Sequence, residues 1–399
     1  MYADVFEKFR DKQGNISSDD VSCLLMLYDA AHVRTHGEEI LDDMITFNKS
    51  RLQSLTMKNL EPELAEEVRC TLETPRFRRV ERVEARRYIS VYEKKAVHDG
   101  TILEFAKLDY NILQAIYCDE LKELTIWWKD LHSKTDLSFA RDRMVEIHFW
   151  ILGTIYEPYY SYSRIVVTKF NTAIERWDEQ TTEEFPAHLK PLLIGILDTT
   201  NKIEELKLEK NRHAEVVKKL VICTAKFYHA EVNWHDEHYV PATVDEHLEK
   251  SLRSSVCMQI IIIGVLISLR DCREDDVNWA FTFPKLIRGV SVVGRVGNDI
   301  VSHEREQASE HVVSTVQTCM KQYGITAEQA NEKLRVIIEE AWMDIVQDYL
   351  DQKRPREFLE KSVDVARTMD FFYKCDDAYT LPLSIKDTIT LMYVNPCEL

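Results

Sequence analysis

The 399-residue chain carries 68 acidic and 51 basic residues, a formal net charge of −17, so it repels nucleic acid and anionic membranes outside a local basic patch. Hydrophobic residues make up 45% and charged residues 30%, as in an ordinary globular protein. There are only 10 glycines and 10 prolines, and so few helix breakers favour long helices. The length allows one large domain or two of moderate size.

The nine cysteines are spread singly, without a CxxC pair, which indicates neither a disulfide framework nor a cysteine zinc site. The first residues, MYADVFEKFRD, have no apolar signal core. The longest apolar run, Ile260 to Leu269, is far shorter than the roughly 20 residues of a membrane span. We therefore expect a soluble cytoplasmic protein with no membrane span and no nucleic-acid partner.

Helical patterns recur along the chain. The polar run Ser17 to Asp20 predicts an N-cap ahead of the apolar residues from Val21 onward. Apolar residues spaced three and four apart predict amphipathic helices over Leu103 to Ile116 and over Leu334 to Leu350. No convincing alternating strand pattern occurs, so the predicted fold class is all-α.

A domain boundary is only weakly marked. Residues 1–107 contain a basic cluster from Arg76 to Arg87, and the long apolar-striped helices of 108–399 follow it. We interpret the cluster as a solvated or interdomain salt-bridged helix end, since the acidic remainder of the chain opposes nucleic-acid binding. The predicted domains are therefore 1–107 and 108–399.

The clearest candidate site lies between Asn298 and Glu306. Asn298, Ser302 and Glu306 are spaced at i, i+4 and i+8, and each step of four advances about 40° round a helix. The three side chains therefore share one face and offer amide, hydroxyl and carboxylate oxygens, which suit Mg²⁺. The pattern alone also fits an exposed polar helix face.

An arginine on this face, with two more elsewhere in the chain, suits an anionic ligand. Arg295 lies one turn before Asn298, and Arg141 and Arg143 precede the aromatic run at Phe149 and Trp150. Guanidinium groups match phosphate oxygens with two parallel donors, although Arg141 and Arg143 also fit surface ion pairs. The His235 and His238 pair has zinc-like spacing but no evident third ligand.

Several ordered motifs resemble plant terpene synthases, specifically the sesquiterpene-forming group. The likeness covers essentially the whole chain, and it is carried by AAHVRTHGEEIL from Ala30, LETPRFRRVE from Leu72, FAKLDYN from Phe105, WWKDL from Trp127, ARDR from Ala140 and YEP from Tyr156. The resemblance implies a class I terpenoid synthase α-helical bundle (108–399) preceded by the C-terminal part of the family's N-terminal helical (α-barrel) domain (1–107).

The resemblance also assigns roles to individual residues. Arg141 and Arg143 match the pair that holds released diphosphate, and Arg295 matches the arginine ahead of the second metal motif. Asn298, Ser302 and Glu306 match that motif. Four residues resemble the family's cavity lining, with Phe372 as the alternative to Tyr373: Trp150, Tyr373, Asp377 and Tyr379.

The implied activity is that of a lyase of plant specialised metabolism acting on a prenyl diphosphate. Mg²⁺ (three ions, with Mn²⁺ as a substitute) and the arginines would stabilise the departing diphosphate of farnesyl diphosphate. A dry aromatic cavity would then protect the carbocation during cyclisation to sesquiterpenes. A monoterpene synthase using geranyl diphosphate is a close variant, and a monomer or weak homodimer is expected.

The chain departs from the family at one point. The first metal motif, DDxxD, is expected about 35 residues after Arg143, but no Asp-Asp pair of the chain has it. Instead Phe170 runs directly into Asn171, where the family has about 25 further residues. Two explanations stay open: the sequence as read omits a segment that the protein contains, or the deletion is real. A real deletion would remove two metal sites and leave a catalytically inactive protein of the same fold.

Overall fold

The computed structural model describes residues 20–54, 60–134, 142–178, 212–255, 257, 260–264, 273–308 and 313–399. Helices dominate these residues, and they contain no strand. The predicted all-α fold class is therefore confirmed. None of the helices in the described part of the chain is both long and apolar enough to cross a membrane.

The helices follow one another with short connections where the chain is described. In chain order the α-helices are α1 (Val21–Ala31), α2 (Glu39–Ser54), α3 (Pro62–Glu73), α4 (Glu81–Glu93), α5 (Gly100–Lys134), α6 (Met144–Thr154), α7 (Ser161–Asp178), α8 (Arg212–Asp236), α9 (Val244–Ser254), α10 (Glu274–Phe281), α11 (Lys285–Ala308), α12 (Thr315–Tyr323), α13 (Ala327–Asp351), α14 (Arg356–Tyr373) and α15 (Lys386–Tyr393). The 3₁₀ turns Arg76–Arg78, Pro158–Tyr160 and Pro382–Ile385 and the π-helical turn Ile260–Gly264 lie between them.

The local signals in the sequence place these helices correctly. Asp20 is the N-cap of α1, and its carboxylate accepts a hydrogen bond from the Ser22 amide at 3.1 Å, which satisfies one of the amides left open at a helix start. The two amphipathic patterns fall within α5 and α13. Both helix predictions and the N-cap are confirmed.

Helix α11 is the centre of the larger helical bundle and packs against α9, α12, α13 and α14. Two glycines allow the close approach. A methyl group added at Gly289 would lie 2.9 Å from the carbonyl oxygen of Ala341 on α13, and one at Gly294 would lie 2.9 Å from Cys257 Sγ. Side chains at these positions would push neighbouring elements away, because packed interiors leave little free volume.

The N-terminal helices are fastened to α13 by a clamp of charged residues. Arg78 donates to both carboxylate oxygens of Glu339 at 2.6 and 2.7 Å, and Arg34 reaches the same carboxylate at 3.4 Å. The Arg78 guanidinium also lies 4.9 Å from the ring centre of Trp342. The prediction of a salt-bridged basic cluster is confirmed, but Arg78 is buried and not solvated. The proposed division at 107/108 falls within α5 and stays a prediction.

A buried polar network fixes the start of α7 against α5 and α6. Arg164 donates to the two Glu120 oxygens at 2.9 and 2.6 Å, and His148 Nε2 lies 2.8 Å from Glu120 Oε2. Burial alone would raise the pKa of Glu120, but the hydrogen bonds from Arg164 and His148 outweigh it and lower the pKa to about 2. The network therefore depends on an ionised Glu120.

Replacing this carboxylate has a defined cost. We expect Glu120→Gln to lower the free energy of unfolding at pH 7 by about 3 kcal/mol, because it leaves Arg164 buried without a counter-charge. The folded-state pKa of Glu120 is depressed, so its contribution is present above about pH 4.5 and is lost as the pH falls toward 2. Urea unfolding should therefore show a smaller difference at pH 3.5 than at pH 7.

The matched control for that variant is Glu123→Gln, which removes an exposed carboxylate of α5 paired with Lys169 at 3.0 Å. It should change the free energy of unfolding by less than about 1 kcal/mol. Equal effects of the two substitutions would contradict the importance assigned to Glu120.

Helix α7 runs without interruption across the junction of Phe170 and Asn171. Thr168 and Asn171 are both buried, and neither the Thr168 hydroxyl nor the Asn171 amide has a hydrogen-bond partner among the described residues. Each unpaired buried polar group costs about 1–3 kcal/mol. The helix is therefore continuous across the junction, and the described residues supply no partner for these two buried polar side chains.

Candidate functional site

The candidate metal-binding face lies in the second half of α11. Asn298, Ser302 and Glu306 all fall within this helix, with Ser302 fully buried and the other two half-buried. Their common face follows directly from the spacing of four residues on a regular helix. The three oxygen donors predicted from the sequence are thus positioned by one rigid element.

Charges converge on the carboxylate of this set. Burial raises the pKa of Glu306, the nearby Asp299 raises it further, and Ser302, Arg295 and Arg305 act to lower it. The Ser302 hydroxyl makes no hydrogen bond of ordinary geometry with described residues, although it is close enough to Glu306 to affect that pKa. A desolvated carboxylate beside a buried hydroxyl is an arrangement that a hard cation would satisfy.

Asp299, next to Asn298, has a structural role instead. Its Oδ2 accepts hydrogen bonds from the Thr315 amide at 2.6 Å and from the Thr315 hydroxyl at 2.5 Å, at the start of α12. His247 Nε2 lies 3.9 Å from the same oxygen. These contacts turn Asp299 away from the face of Asn298 and use it to attach α12 to α11.

Arg295, one turn before Asn298, is held by an ion pair. Its Nη2 donates to Oε2 of Glu231 on α8, and Oε1 of Glu231 accepts a hydrogen bond from Ser254 at the end of α9. Burial alone would lower the pKa of Arg295, but Glu231 outweighs it and the pKa is raised. The guanidinium is therefore charged and fixed beside the candidate metal face.

The loop after α14 joins Arg143 to α11. Arg143 Nη1 donates to the carbonyl oxygen of Tyr379 at 2.5 Å, and its guanidinium carbon lies 5.1 Å from the Tyr379 ring centre. Two residues earlier, Asp377 is buried and accepts a hydrogen bond from Arg305 of α11 at 2.6 Å. The loop thus connects a predicted diphosphate-binding arginine with the helix of the metal face.

Aromatic rings of α6, α14 and this loop pack against one another. Trp150 is buried, with its ring centre 5.4 Å from that of Tyr379 and 6.3 Å from that of Phe372. Tyr373 lies beside α11: a methyl group added at Gly297 would be 3.4 Å from its Cβ. Phe372 therefore belongs to the aromatic cluster, while Tyr373 packs beside α11 next to Asn298.

Sequence reasoning missed two members of this arrangement. Glu231 is 64 residues from Arg295 along the chain, and no local pattern pairs them. Arg305 adjoins a predicted ligand, so its position alone was a signal that could have been used.

One predicted site residue, Arg141, lies outside the described residues. Within the described part of the chain, no group of three His, Cys, Asp or Glu residues could hold a metal, so the candidate set depends on its amide and hydroxyl oxygens.

Comparison with known proteins identifies the family. The description "Terpene synthase family, metal binding domain" matches residues 129–173 and 168–344, and "Terpene synthase, N-terminal domain" matches 1–72. An (E)-beta-caryophyllene synthase from Zea mays is 48% identical over 420 residues, covering 98% of this chain and 76% of that protein. The chain belongs to the terpene synthase family.

Other terpene synthases agree with this assignment. A beta-sesquiphellandrene synthase from Sorghum bicolor is 40% identical, covering 99% of this chain and 77% of that protein. An isoprene synthase from grey poplar, solved with three Mg²⁺ ions and dimethylallyl-S-thiolodiphosphate, superposes with a TM-score of 0.88 at 26% identity, covering 99% of this chain and 81% of that one. A limonene synthase structure has a TM-score of 0.92 at 23% identity, covering 99% of this chain and 79% of that one, and supports the fold alone.

The metal-binding domain of the family matches this terpene synthase in two segments, which overlap at residues 168–173. The overlap contains the junction of Phe170 and Asn171, where the DDxxD motif is missing from this sequence. The two halves of the domain are thus both present, and the connection between them is where this chain departs from its relatives.

Separate substitutions of the adjacent residues Asn298 and Asp299 distinguish a candidate metal ligand from a residue with structural contacts. We expect Asn298→Ala to change the free energy of unfolding by no more than about 0.5 kcal/mol, because Asn298 is only half-buried on a regular helix. Asp299→Asn should cost about 1–3 kcal/mol, because it weakens the contacts to Thr315. Urea unfolding without metal tests both, and an equally large loss in Asn298→Ala would argue that Asn298 is structural.

Proposed function

We propose that this terpene synthase binds farnesyl diphosphate with Mg²⁺ and converts it to sesquiterpene products with release of diphosphate. The observation that carries the proposal is the face of Asn298, Ser302 and Glu306 beside the fixed Arg295 guanidinium. The relatives that produce caryophyllene, sesquiphellandrene and zingiberene support a sesquiterpene product. The Mg²⁺ ions of the poplar isoprene synthase support the choice of metal.

The described residues fit one hard cation. Asn298, Ser302 and Glu306 supply three different oxygen donors, and Mg²⁺ completes its shell with water and substrate phosphate. The buried Ser302 hydroxyl, beside the desolvated carboxylate of Glu306, is the observation that favours such a ligand. Bound Mg²⁺ would supply Lewis-acid stabilisation of the negative charge on the diphosphate.

The protein's own residues would then bind and shield the substrate. Arg295 would neutralise charge on the diphosphate as the bond from the allylic carbon to oxygen breaks and the electron pair leaves with the diphosphate. Arg143, held at the Tyr379 carbonyl, would supply a second guanidinium group. The rings of Trp150, Phe372 and Tyr379 would exclude water and stabilise the allylic cation until it loses a proton.

A second candidate function is diphosphate binding without turnover. The absence of DDxxD from the sequence favours it, because Asn298, Ser302 and Glu306 supply ligands for one cation and the family's other metal ligands are missing. Removing one preorganised electrostatic contact from an active site typically slows the chemical step by about 10²–10³-fold. Binding would survive such a loss better than ionisation would.

Product analysis tests the first proposal. Incubation of the 46.8 kDa chain with farnesyl diphosphate and Mg²⁺ should release volatile sesquiterpenes above a metal-free blank, as measured by gas chromatography. Glu306→Ala should abolish any such release, since it removes the charged ligand of the proposed cation. Absence of product in the unaltered chain, with inorganic diphosphate still bound in calorimetry, would instead support the second candidate.

Grafting tests the role of the missing segment. We expect insertion of the corresponding residues of the maize caryophyllene synthase between Phe170 and Asn171 to raise turnover of farnesyl diphosphate at least about 10²-fold. The control is the same insertion with its aspartates changed to asparagine, which should give no gain. Equal rates with and without the graft would show that the deletion is not what limits activity.

A further inference from the structure

We propose that Glu231 is a positioning residue that orients Arg295 for the diphosphate, an inference that rests on the proposed function. Glu231 lies on α8 and is only 7% exposed. One of its carboxylate oxygens accepts from Arg295 on α11, and the other accepts from Ser254 on α9. Three helices therefore meet at a single carboxylate next to the metal face.

The contact leaves part of the Arg295 guanidinium available. Nη2 is occupied by Glu231, whereas Nε is buried and has no hydrogen-bond partner among the described residues. Because the guanidinium is planar and rigid, fixing Nη2 also fixes the direction of its remaining donors. A pre-oriented arginine loses less conformational entropy when it binds phosphate oxygens.

A positioning role and a purely electrostatic role for Glu231 predict opposite effects of its removal on anion binding. If Glu231 acts only as a negative charge, its removal makes the surroundings of Arg295 more positive and strengthens anion binding. If it acts by holding Arg295, removal weakens binding, as loss of a supporting residue behind a ligand typically does by about 10- to 100-fold. Ser254 donates to the Glu231 oxygen that does not contact Arg295, and Arg295 lies on a different helix. Because the carboxylate is held at both oxygens, the geometry favours the positioning role.

Calorimetric titration of the full chain with inorganic diphosphate in MgCl₂ tests the sign. We expect Glu231→Ala to raise the Kd about 10- to 100-fold, while Glu231→Gln retains most of the affinity because its amide oxygen still accepts from Arg295. The double variant Glu231→Ala with Arg295→Ala should bind no more weakly than Arg295→Ala alone, since Glu231 acts through that arginine. Unchanged or tighter binding by Glu231→Ala would overturn the inference.

The matched control is Glu339→Ala, which also removes an arginine partner, at the clamp on α13. Its Kd for diphosphate should equal that of the unaltered chain even if its thermal midpoint falls. An equal loss of affinity in Glu339→Ala would overturn the inference by showing a general effect of destabilisation. Failure of the unaltered chain to bind diphosphate with Mg²⁺ would overturn the proposed function, and this inference with it.

Discussion

The ion pair between Arg295 and Glu231 is the contact on which the candidate site depends. It sets a positive charge beside Asn298, Ser302 and Glu306 in a chain whose net charge of −17 opposes any anionic substrate. Diffuse attraction cannot bring diphosphate to such a protein. Binding has to be produced locally, by guanidinium groups and a cation held at short range where little water screens them.

Rigid packing turns these charges into a defined geometry. Helix α11 carries the candidate metal face and is enclosed by α9, α12, α13 and α14. Gly289 and Gly294 allow its neighbours to approach. Asp299 and Asp377 use their carboxylates for structure, one at the start of α12 and the other with Arg305. These two carboxylates are therefore committed to structural partners.

The sequence was sufficient to predict the features that depend on the spacing of neighbouring residues. The α11 face, the N-cap at Asp20 and the long amphipathic helices all follow from helical periodicity or capping chemistry, which need only neighbouring residues. The partner of Arg295 did not follow, because the choice of Glu231 depends on how α8 packs against α11. Phe372 and Tyr373 show the same limit. They are adjacent in the sequence, and only the rotation of α14 about its axis decides which of them packs against Trp150 and which lies beside Gly297.

The clamp at Glu339 has a consequence for how the protein comes apart. Two arginines, from the connection after α1 and from the 3₁₀ turn before α4, share one carboxylate on α13. Local opening of the N-terminal helices would pull Arg34 and Arg78 away from Glu339 and break these ion pairs, so the larger bundle opposes fraying there. The two parts are thereby coupled in their unfolding.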